Sequence, residues 1–220
     1  MIVVSIMRDS AEYVDRYMEQ VLALRKLVGD VKVVIAEGDS ADDTWGRLNE
    51  YRTFTGFTLL KVEHGGPYFP SIDNPLRWRQ LASVCNVALT AAVRELEDDE
   101  PLVYVESDLI WSPETIQKLV KHLEVYPAVV PMSMYEGRFY DTWGHTKNWE
   151  PFRRNKPYFD GWSDTMMHQI TSAGSCFALS WPAAQVAHFS PVDCIRGIGR
   201  TLAADGQTLW LDPTLEVIHP

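Results

Sequence analysis

Short apolar runs alternate with helical segments along this 220-residue chain. β-Branched and aromatic residues dominate the runs, and the segments between them carry apolar residues at helical spacing. This alternation predicts an α/β fold: a mostly parallel central sheet in a three-layer sandwich, joined by right-handed crossovers. The expected strands are 2–7, 31–36, 57–62, 102–105 and 128–132, and the expected helices are 11–28, 41–51, 76–97 and one that starts after Ser112.

The segment 102–113, LVYVESDLIWSP, places two carboxylates directly after an expected strand. Glu106 and Asp108 follow the apolar run, and Ser112 with Pro113 then has the pattern of a capped helix start. Ligands of open α/β sheets bind beyond the carboxyl ends of the strands, and unpaired charges are too unfavourable to bury. We therefore expect this pair to bind a hard divalent cation, or a cation and a ribose hydroxyl.

A second acidic segment, Glu37-Gly38-Asp39, follows the second expected strand. The ends of both strands should face the same crevice of the sheet. One acidic set can then accept hydrogen bonds from a base or ribose, while the other holds a metal that neutralises a diphosphate.

Helix boundaries follow from capping patterns. Asp9 with Glu12, and Ser40 with Asp43, have capping-box spacing for the first two helices. Asp193 is a candidate N-cap for a helix over 194–204. The segment 134–162 is irregular, rich in aromatic residues and longer than a loop that only joins two elements, which is typical of a lid or binding loop.

Composition excludes several classes of protein. The net charge of −10 disfavours broad binding to a phosphate backbone, and three scattered cysteines are typical of reduced thiols in a cytoplasmic protein. No apolar stretch has the length of a membrane span. Phosphate-loop, dinucleotide-binding and α/β-hydrolase motifs are missing from the sequence.

Several segments resemble a known family. The strand followed by EGDSADDT and a helix is similar to the opening of GT-A glycosyltransferases, and Glu106-Ser107-Asp108 stands where that family carries its D-x-D metal motif. The segments 79–89, 139–143 and 210–213, with His219-Pro220, resemble the fungal α-mannosyltransferases of mannan and capsule synthesis. The resemblance implies one GT-A-like domain, with a nucleotide-binding half over 1–112 and an acceptor-side half over 113–220.

The resemblance also implies roles for single residues. Asp108 and His219 would bind Mn²⁺ or Mg²⁺, with Glu106 on the metal or the ribose. The residues expected to contact a UDP- or GDP-sugar donor are Ser5, Arg8, Glu37, Asp39 and Arg79. Tyr140, Asp141 and Trp143 would line the donor-sugar or acceptor side.

Glycosyl transfer by inversion needs a carboxylate base, for which Asp141, Asp164 and Asp193 are candidates. Retention needs no dedicated base, and the mannosyltransferase resemblance favours it. The residues expected to be catalytic are accordingly Asp141, Asp193 and Tyr140.

Other functions remain open. The acceptor can be a glycan, a small molecule or a hydroxymethylated base in DNA, and the last would need a basic groove formed by Arg77, Arg79, Arg138, Arg153, Arg154 and Lys156. A nucleotidyltransferase would need a glycine-rich loop after the first strand, whereas 5–10 contains no glycine. A non-catalytic module that binds nucleotide-sugars is the third alternative.

Overall fold

The computed structural model describes residues 1–70, 72–194 and 196–220, which form eleven strands and six helices. The strands are β1 (Ile2–Met7), β2 (Lys32–Glu37), β3 (Thr58–Lys61), β4 (Leu102–Val105), β5 (Ala128–Tyr135), β6 (Arg138–Phe139), β7 (Thr146–Lys147), β8 (Glu150–Pro151), β9 (His168–Ile170), β10 (Cys176–Leu179) and β11 (Leu209–Ile218). The helices are α1 (Ala11–Val28), α2 (Thr44–Thr55), α3 (Pro75–Glu95), α4 (Pro113–His122), α5 (Trp181–Val186) and α6 (Gly197–Ala204).

Most of the strands form one sheet with the order β3-β2-β1-β4-β10-β5-β11-β9. The pairs β3–β2, β2–β1, β1–β4 and β5–β11 are parallel, while β10 runs antiparallel to both β4 and β5. Because β10 joins the first four strands to β5 and β11, the sheet is continuous across both halves of the chain. The predicted mostly parallel α/β fold is confirmed.

Two apolar layers cover the sheet. Along β1, Val3 faces the layer that contains α1, α2 and α4, while Val4 faces the layer that contains α3, α5 and α6. This alternation follows from the two-residue period of a strand. The strand runs are apolar on both sides because helices bury both faces of the sheet.

The predicted capping boxes are wrong. Ser10 is the N-cap of α1, but its side chain makes no capping hydrogen bond to the helix, and Ala11 N instead donates to Asp42 Oδ2 at 2.9 Å. In return, Ala41 N donates to Asp9 Oδ1 at 2.6 Å, and α2 begins only at Thr44. The loops after β1 and β2 thus satisfy each other's backbone groups, an arrangement that local spacing does not reveal.

The expected start of the last helix is also wrong. α6 begins at Gly197 with Arg196 as its N-cap, whereas we predicted a start at Cys194. Asp193 is not a cap, because its carboxylate accepts a hydrogen bond from Arg200 Nε at 2.6 Å. Ile195, within the predicted helix, lies outside the described residues.

The chain turns from one side of the sheet to the other at β1, which lies between β2 and β4. Such a switch point leaves a crevice beyond the carboxyl ends of the strands, which is where ligands of open α/β sheets bind. Among the residues that the structure describes, no helix has the length and hydropathy needed to cross a membrane.

Candidate functional site

The acidic segment after β4 is held in place by neighbouring strands. Glu106 N donates to Ser175 O at 2.9 Å, which ties the segment to the residue before β10. Ile110 and Ile218 exchange backbone hydrogen bonds of 2.8 Å in each direction, so the end of β11 lies beside the loop. His219 follows, and its backbone N–H donates to Met134 O at 2.7 Å. Residues more than 100 positions apart therefore meet at one point.

Glu106, Asp108 and His219 form a cluster at this point. One ligand atom from each residue lies within 4.8 Å of the other two, and His219 Nε2 is 3.2 Å from Asp108 Oδ2. The Asp108 side chain is 28% exposed and that of His219 is 21% exposed. Two carboxylates and an imidazole open to solvent form a donor set that suits Mn²⁺ and, with more water ligands, Mg²⁺.

The cluster carries excess negative charge. Burial raises the pKa of Glu106 to about 8, and the carboxylates of Asp108 and Asp141 add to this effect, while Arg77 opposes it. Burial also raises the pKa of Tyr140, with further contributions from the same acids. A divalent cation would relieve this repulsion, and the residues present therefore fit a metal.

A cleft of about 990 Å³ opens around the cluster. Its walls carry cationic, acidic and aromatic groups, among them Arg8, Arg77, Tyr140, Asp141 and Trp143. A smaller pocket of about 170 Å³ shares Arg8, Arg77 and neighbouring residues with the cleft and extends it toward the end of β2. The site therefore has a cationic side and an acidic centre.

Of the two residues expected to contact the donor from the end of β1, Arg8 lines the cleft and Ser5 does not. The Arg8 guanidinium donates to Gly66 O at 3.4 Å and lies 5.6 Å from the centre of the Tyr68 ring. Ser5 is fully buried, and its hydroxyl contacts the Tyr17 hydroxyl at 2.7 Å and the carbonyl of Val105. Its side chain cannot reach a nucleotide, because this hydroxyl instead links α1 to β4 within the core.

The acids after β2 stabilise their own loops. Glu37 is 1% exposed and accepts a hydrogen bond from Ser40 N at 2.7 Å. Asp39 Oδ2 accepts from His64 N at 3.0 Å and from Gly65 N at 2.8 Å. Burial opposes ionisation of Asp39, but these two bonds outweigh it and lower the pKa. Neither acid is among the residues that line the cleft or the smaller pocket, so the structure does not support their expected contacts with base and ribose.

Arg77, rather than Arg79, faces the cleft. Both lie on α3, but Arg77 lines the cleft and the smaller pocket whereas Arg79 is exposed and lines neither. Two residues of an α-helix differ by about 200° in direction, so only one of the two faces the site. The position of Arg79 therefore gives no support to its expected contact with the diphosphate.

The three candidate bases occupy different surroundings. Asp141 and Tyr140 line the cleft, and the Tyr140 ring lies 4.3 Å from the His219 ring. Asp193 is paired with Arg200, and Asp164 is paired with Lys156 on the surface. Neither of these two acids lines the cleft. The prediction that Asp193 is catalytic therefore has no support, whereas Asp141 lies in the cleft.

Aromatic residues divide into two groups. Trp143 is 39% exposed in the cleft, with its ring 5.6 Å from that of Trp78. Trp162 packs elsewhere, in a cluster with Phe152, Tyr158 and other rings. The irregular segment thus provides a cleft wall and also adds aromatic rings to the apolar layer that contains α3.

His145 has no role in the predictions from the sequence. His145 Nδ1 lies 3.3 Å from Asp141 Oδ2, and the histidine is 1% exposed. The spacing of four residues between an acid and a histidine was the available signal. It had little weight without knowledge that 141–145 forms a turn.

Several solved structures share the fold, each covering 99% of this chain. S. aureus TarS 1-349 matches with a TM-score of 0.61 and 13% identity over 59% of its own chain. A mannosyltransferase from Pyrobaculum calidifontis, in complex with GDP-Man and Mn²⁺, matches with a TM-score of 0.60 and 14% identity over 55% of its chain. Glucosyl-3-phosphoglycerate synthase from Mycobacterium tuberculosis, in complex with Mg²⁺ and UDP, gives a TM-score of 0.51 and 17% identity over 68% of its chain. At these identities the likeness concerns the fold, and this chain spans little more than half of the first two proteins.

Comparison with curated proteins gave no match. The family described as Glycosyl transferase family 2 matches residues 2–180, which is most of the chain and includes β1 to β10. The acidic segment after β4 and the cleft-lining Asp141 both fall within this match. The chain therefore belongs to glycosyltransferase family 2, with the GT-A fold.

Proposed function

We propose that the chain is a metal-dependent glycosyltransferase that moves a hexosyl group from a nucleoside-diphosphate sugar to a hydroxyl acceptor. The observation that carries this proposal is the meeting of Glu106, Asp108 and His219 in a cleft beyond the carboxyl ends of the parallel strands. Family membership supports the reaction class. The resemblance to fungal α-mannosyltransferases makes a GDP-sugar as good a candidate donor as a UDP-sugar.

Glu106, Asp108 and His219 would hold Mn²⁺ or Mg²⁺ in this proposal. The bound cation supplies Lewis-acid stabilisation of the charge that develops on the leaving diphosphate. Arg77 lines the same cleft and adds a permanent positive charge on the side of α3. We therefore assign the diphosphate to the space between this arginine and the acidic cluster.

The smaller pocket is the proposed site for the nucleoside. Arg8 Nε lies 3.8 Å from Asp9 Oδ2 and has no hydrogen-bond partner among the described residues, and we assign this donor to the ligand. Tyr68 and Phe69 provide aromatic surface beside it. At Gly38 an added Cβ would lie 3.2 Å from Val84 Cγ2, so glycine keeps this wall from crowding the pocket.

Asp141 supports an inverting reaction. Inversion needs a base that takes the proton of the acceptor hydroxyl, and Asp141 is a carboxylate in the cleft with a lowered pKa. Burial alone would raise this pKa, but the hydrogen bonds from His145 and Gly144 outweigh burial. Retention, which the mannosyltransferase resemblance favours, would leave this buried acid without a chemical role. The configuration of the product, measured by NMR of the anomeric proton, distinguishes the two routes.

The acceptor is proposed to bind on the side of the second half of the chain, beside Tyr140 and Trp143. Tyr140 is 45% exposed there, and exposed aromatic rings are suited to stacking on sugars. This assignment keeps the division into a nucleotide-binding half over 1–112 and an acceptor-side half over 113–220. Glu106 and Asp108 from the first half meet His219 from the second, so both halves build the metal site.

Modified DNA is a weaker alternative acceptor. Of the six basic residues considered for a groove, only Arg77 and Arg154 line the cleft. Arg153 is paired with Asp160 at 2.7 Å, and Lys156 is paired with Asp164. The cationic charge is therefore partly neutralised by neighbouring acids, as a net charge of −10 also leads one to expect.

Thermal stability in the presence of UDP-, GDP-, ADP-, CDP- and TDP-sugars, with and without Mn²⁺, tests the proposal. We expect one nucleotide to raise the melting temperature only with the metal, and Asp108→Ala to abolish this shift. Absence of a shift with every nucleotide, for a folded protein, would contradict the proposal. Binding without release of sugar to water or any acceptor would instead support the non-catalytic binding module.

A further inference from the structure

His145 is enclosed in the loop that follows β6. Its ring is packed edge-on against Phe139 at 5.2 Å and lies 5.7 Å from the ring of Phe152. With 1% exposure, the imidazole has no contact with bulk water. Its two nitrogens must therefore find their hydrogen-bond partners within the protein.

Both nitrogens of this imidazole face acceptors. Nε2 lies 3.2 Å from the carbonyl oxygen of Pro131, which can only accept, so Nε2 carries a proton. Nδ1 lies 3.3 Å from Asp141 Oδ2. A hydrogen bond therefore joins Nδ1 to the carboxylate, and the two side chains form a partly buried acid–imidazole pair.

Asp141 is confined on its other sides as well. Its Oδ1 accepts a hydrogen bond from Gly144 N at 2.7 Å, which favours the ionised carboxylate. A Cβ added at Gly174 would lie 1.4 Å from Oδ2, and one added at Gly144 would lie 2.4 Å from the same atom. The carboxylate thus occupies space that exists only because both neighbours are glycines.

Other ionisable groups of the cleft also act on Asp141. The carboxylate of Asp141 raises the pKa of Glu106 through repulsion, and Asp108 and Tyr140 line the same cleft. His219, at the end of β11, acts in the opposite direction and lowers the pKa of Asp141. Among these groups, His145 alone makes a direct side-chain hydrogen bond to Asp141.

We propose that His145 is a positioning residue that holds Asp141 ionised and oriented as the base for the acceptor hydroxyl. This inference rests on the proposed function. In the transfer step, the acceptor oxygen forms a bond to the anomeric carbon as the bond from that carbon to the diphosphate oxygen breaks. The electron pair of the broken bond leaves with the diphosphate, and the hydroxyl proton moves to an Asp141 oxygen.

The variants His145→Asn and His145→Phe test the inference. Asn keeps a hydrogen-bond donor near the position of Nδ1 but carries no charge, whereas Phe removes both donors. His168→Asn is the matched control, because His168 is also buried but donates to Ser163 O outside the cleft. Asp141→Asn defines the activity that remains without the base.

Two measurements are needed. Carbon-13 NMR of the Asp141 carboxyl, which requires no activity, gives its titration in wild type and in both variants. Initial rates against pH, with the wild type's own donor, give kcat and KM separately. Because melting temperatures are recorded for every variant, loss of fold is separated from loss of function.

In His145→Asn we expect the Asp141 carboxyl to titrate about one pH unit higher than in wild type. In the pH profile of kcat, the fall on the acid side should move to higher pH by the same amount. The maximal kcat should decrease about 10- to 100-fold, with little change in KM for the donor. His145→Phe should lose more of its kcat than His145→Asn, and His168→Asn should have the kcat of wild type. An unchanged Asp141 titration in folded His145→Asn would overturn the inference. If wild type itself transfers no sugar, the proposed function fails, while the titration still decides whether His145 controls Asp141.

Discussion

Replacing Gly174 by alanine would test whether the position of Asp141 is required. A Cβ at Gly174 would lie 1.4 Å from Asp141 Oδ2 and 2.6 Å from its Cγ, whereas real Cβ atoms essentially never approach another atom closer than 3.0 Å. The carboxylate oxygen Oδ2 must therefore move by about 1.6 Å, the difference between 1.4 Å and the limit of 3.0 Å. Such a movement breaks the contact with His145 Nδ1, which is already 3.3 Å long.

The size of the effect follows from this displacement. A misplacement of about 1 Å in a catalytic group costs on the order of 100-fold in rate, so we expect kcat of Gly174→Ala to fall by at least this factor. Overpacking of a filled site costs about 1–3 kcal/mol, equivalent to a fall in melting temperature of roughly 2–10 °C for a chain of this size. KM for the donor should change little, because the residues proposed to contact the nucleotide line the smaller pocket, whereas Asp141 does not.

A double-mutant cycle with Asp141→Ala provides the assay. Shortening Asp141 clears the space that the new methyl group needs, so the double variant should lose less stability than the sum of the single variants, by about 1 kcal/mol or more. Its kcat should equal that of Asp141→Ala alone. A Gly174→Ala variant with the kcat and melting temperature of wild type would refute the reasoning, as would additive losses in the cycle.

Two further predictions concern charged groups outside the proposed base. Arg77→Met should weaken nucleotide binding about 10- to 100-fold, measured by calorimetry with Mn²⁺ present, whereas the matched variant Arg79→Met should bind as wild type does. Burial alone would raise the pKa of Glu100, but the Lys32 ammonium 2.9 Å away helps to hold it at about 2. The lowered pKa means that ionised Glu100 stabilises the folded protein; this contribution is fully present above pH 4.5 and is lost as pH falls toward 2. The free energy of unfolding of Glu100→Gln should therefore be about 1–2 kcal/mol lower at pH 7, and its acid denaturation curve should be flatter. Equal losses in Arg77→Met and Arg79→Met, or an unchanged acid profile in Glu100→Gln, would contradict these two assignments.

Local patterns predicted much of the fold because strands and helices depend mainly on nearby residues. The helix over 11–28 and the strand over 102–105 have the bounds that periodicity indicated. Ser112 caps α4 as expected, by accepting a hydrogen bond from Thr115 N at 3.1 Å. The helix starts near Asp9 and Ser40 were misjudged because two loops, more than 30 residues apart, cap one another.

The site was harder to predict because its residues are brought together by the sheet. Glu106 and Asp108 could be assigned to a strand end from the sequence, but the bridge that places His219 beside them joins residues 110 and 218. Ser5 was misjudged for the same reason: the sequence does not show whether its side chain, near the end of β1, points toward the crevice or toward α1. The partner of Asp141 was likewise hidden, since an irregular segment has no period from which side-chain directions follow.

Release of nucleoside diphosphate from a nucleotide-sugar tests the central claim most directly. Wild type and Asp108→Asn are each incubated with the donor that stabilises the protein, a set of hydroxyl acceptors, and either Mn²⁺ or EDTA. The account predicts release coupled to formation of a glycosylated acceptor, only with wild type and only with the metal, and at least about 100-fold slower in Asp108→Asn. Equal release with EDTA, or with Asp108→Asn, would contradict the assignment of the cluster as the metal site of a glycosyltransferase.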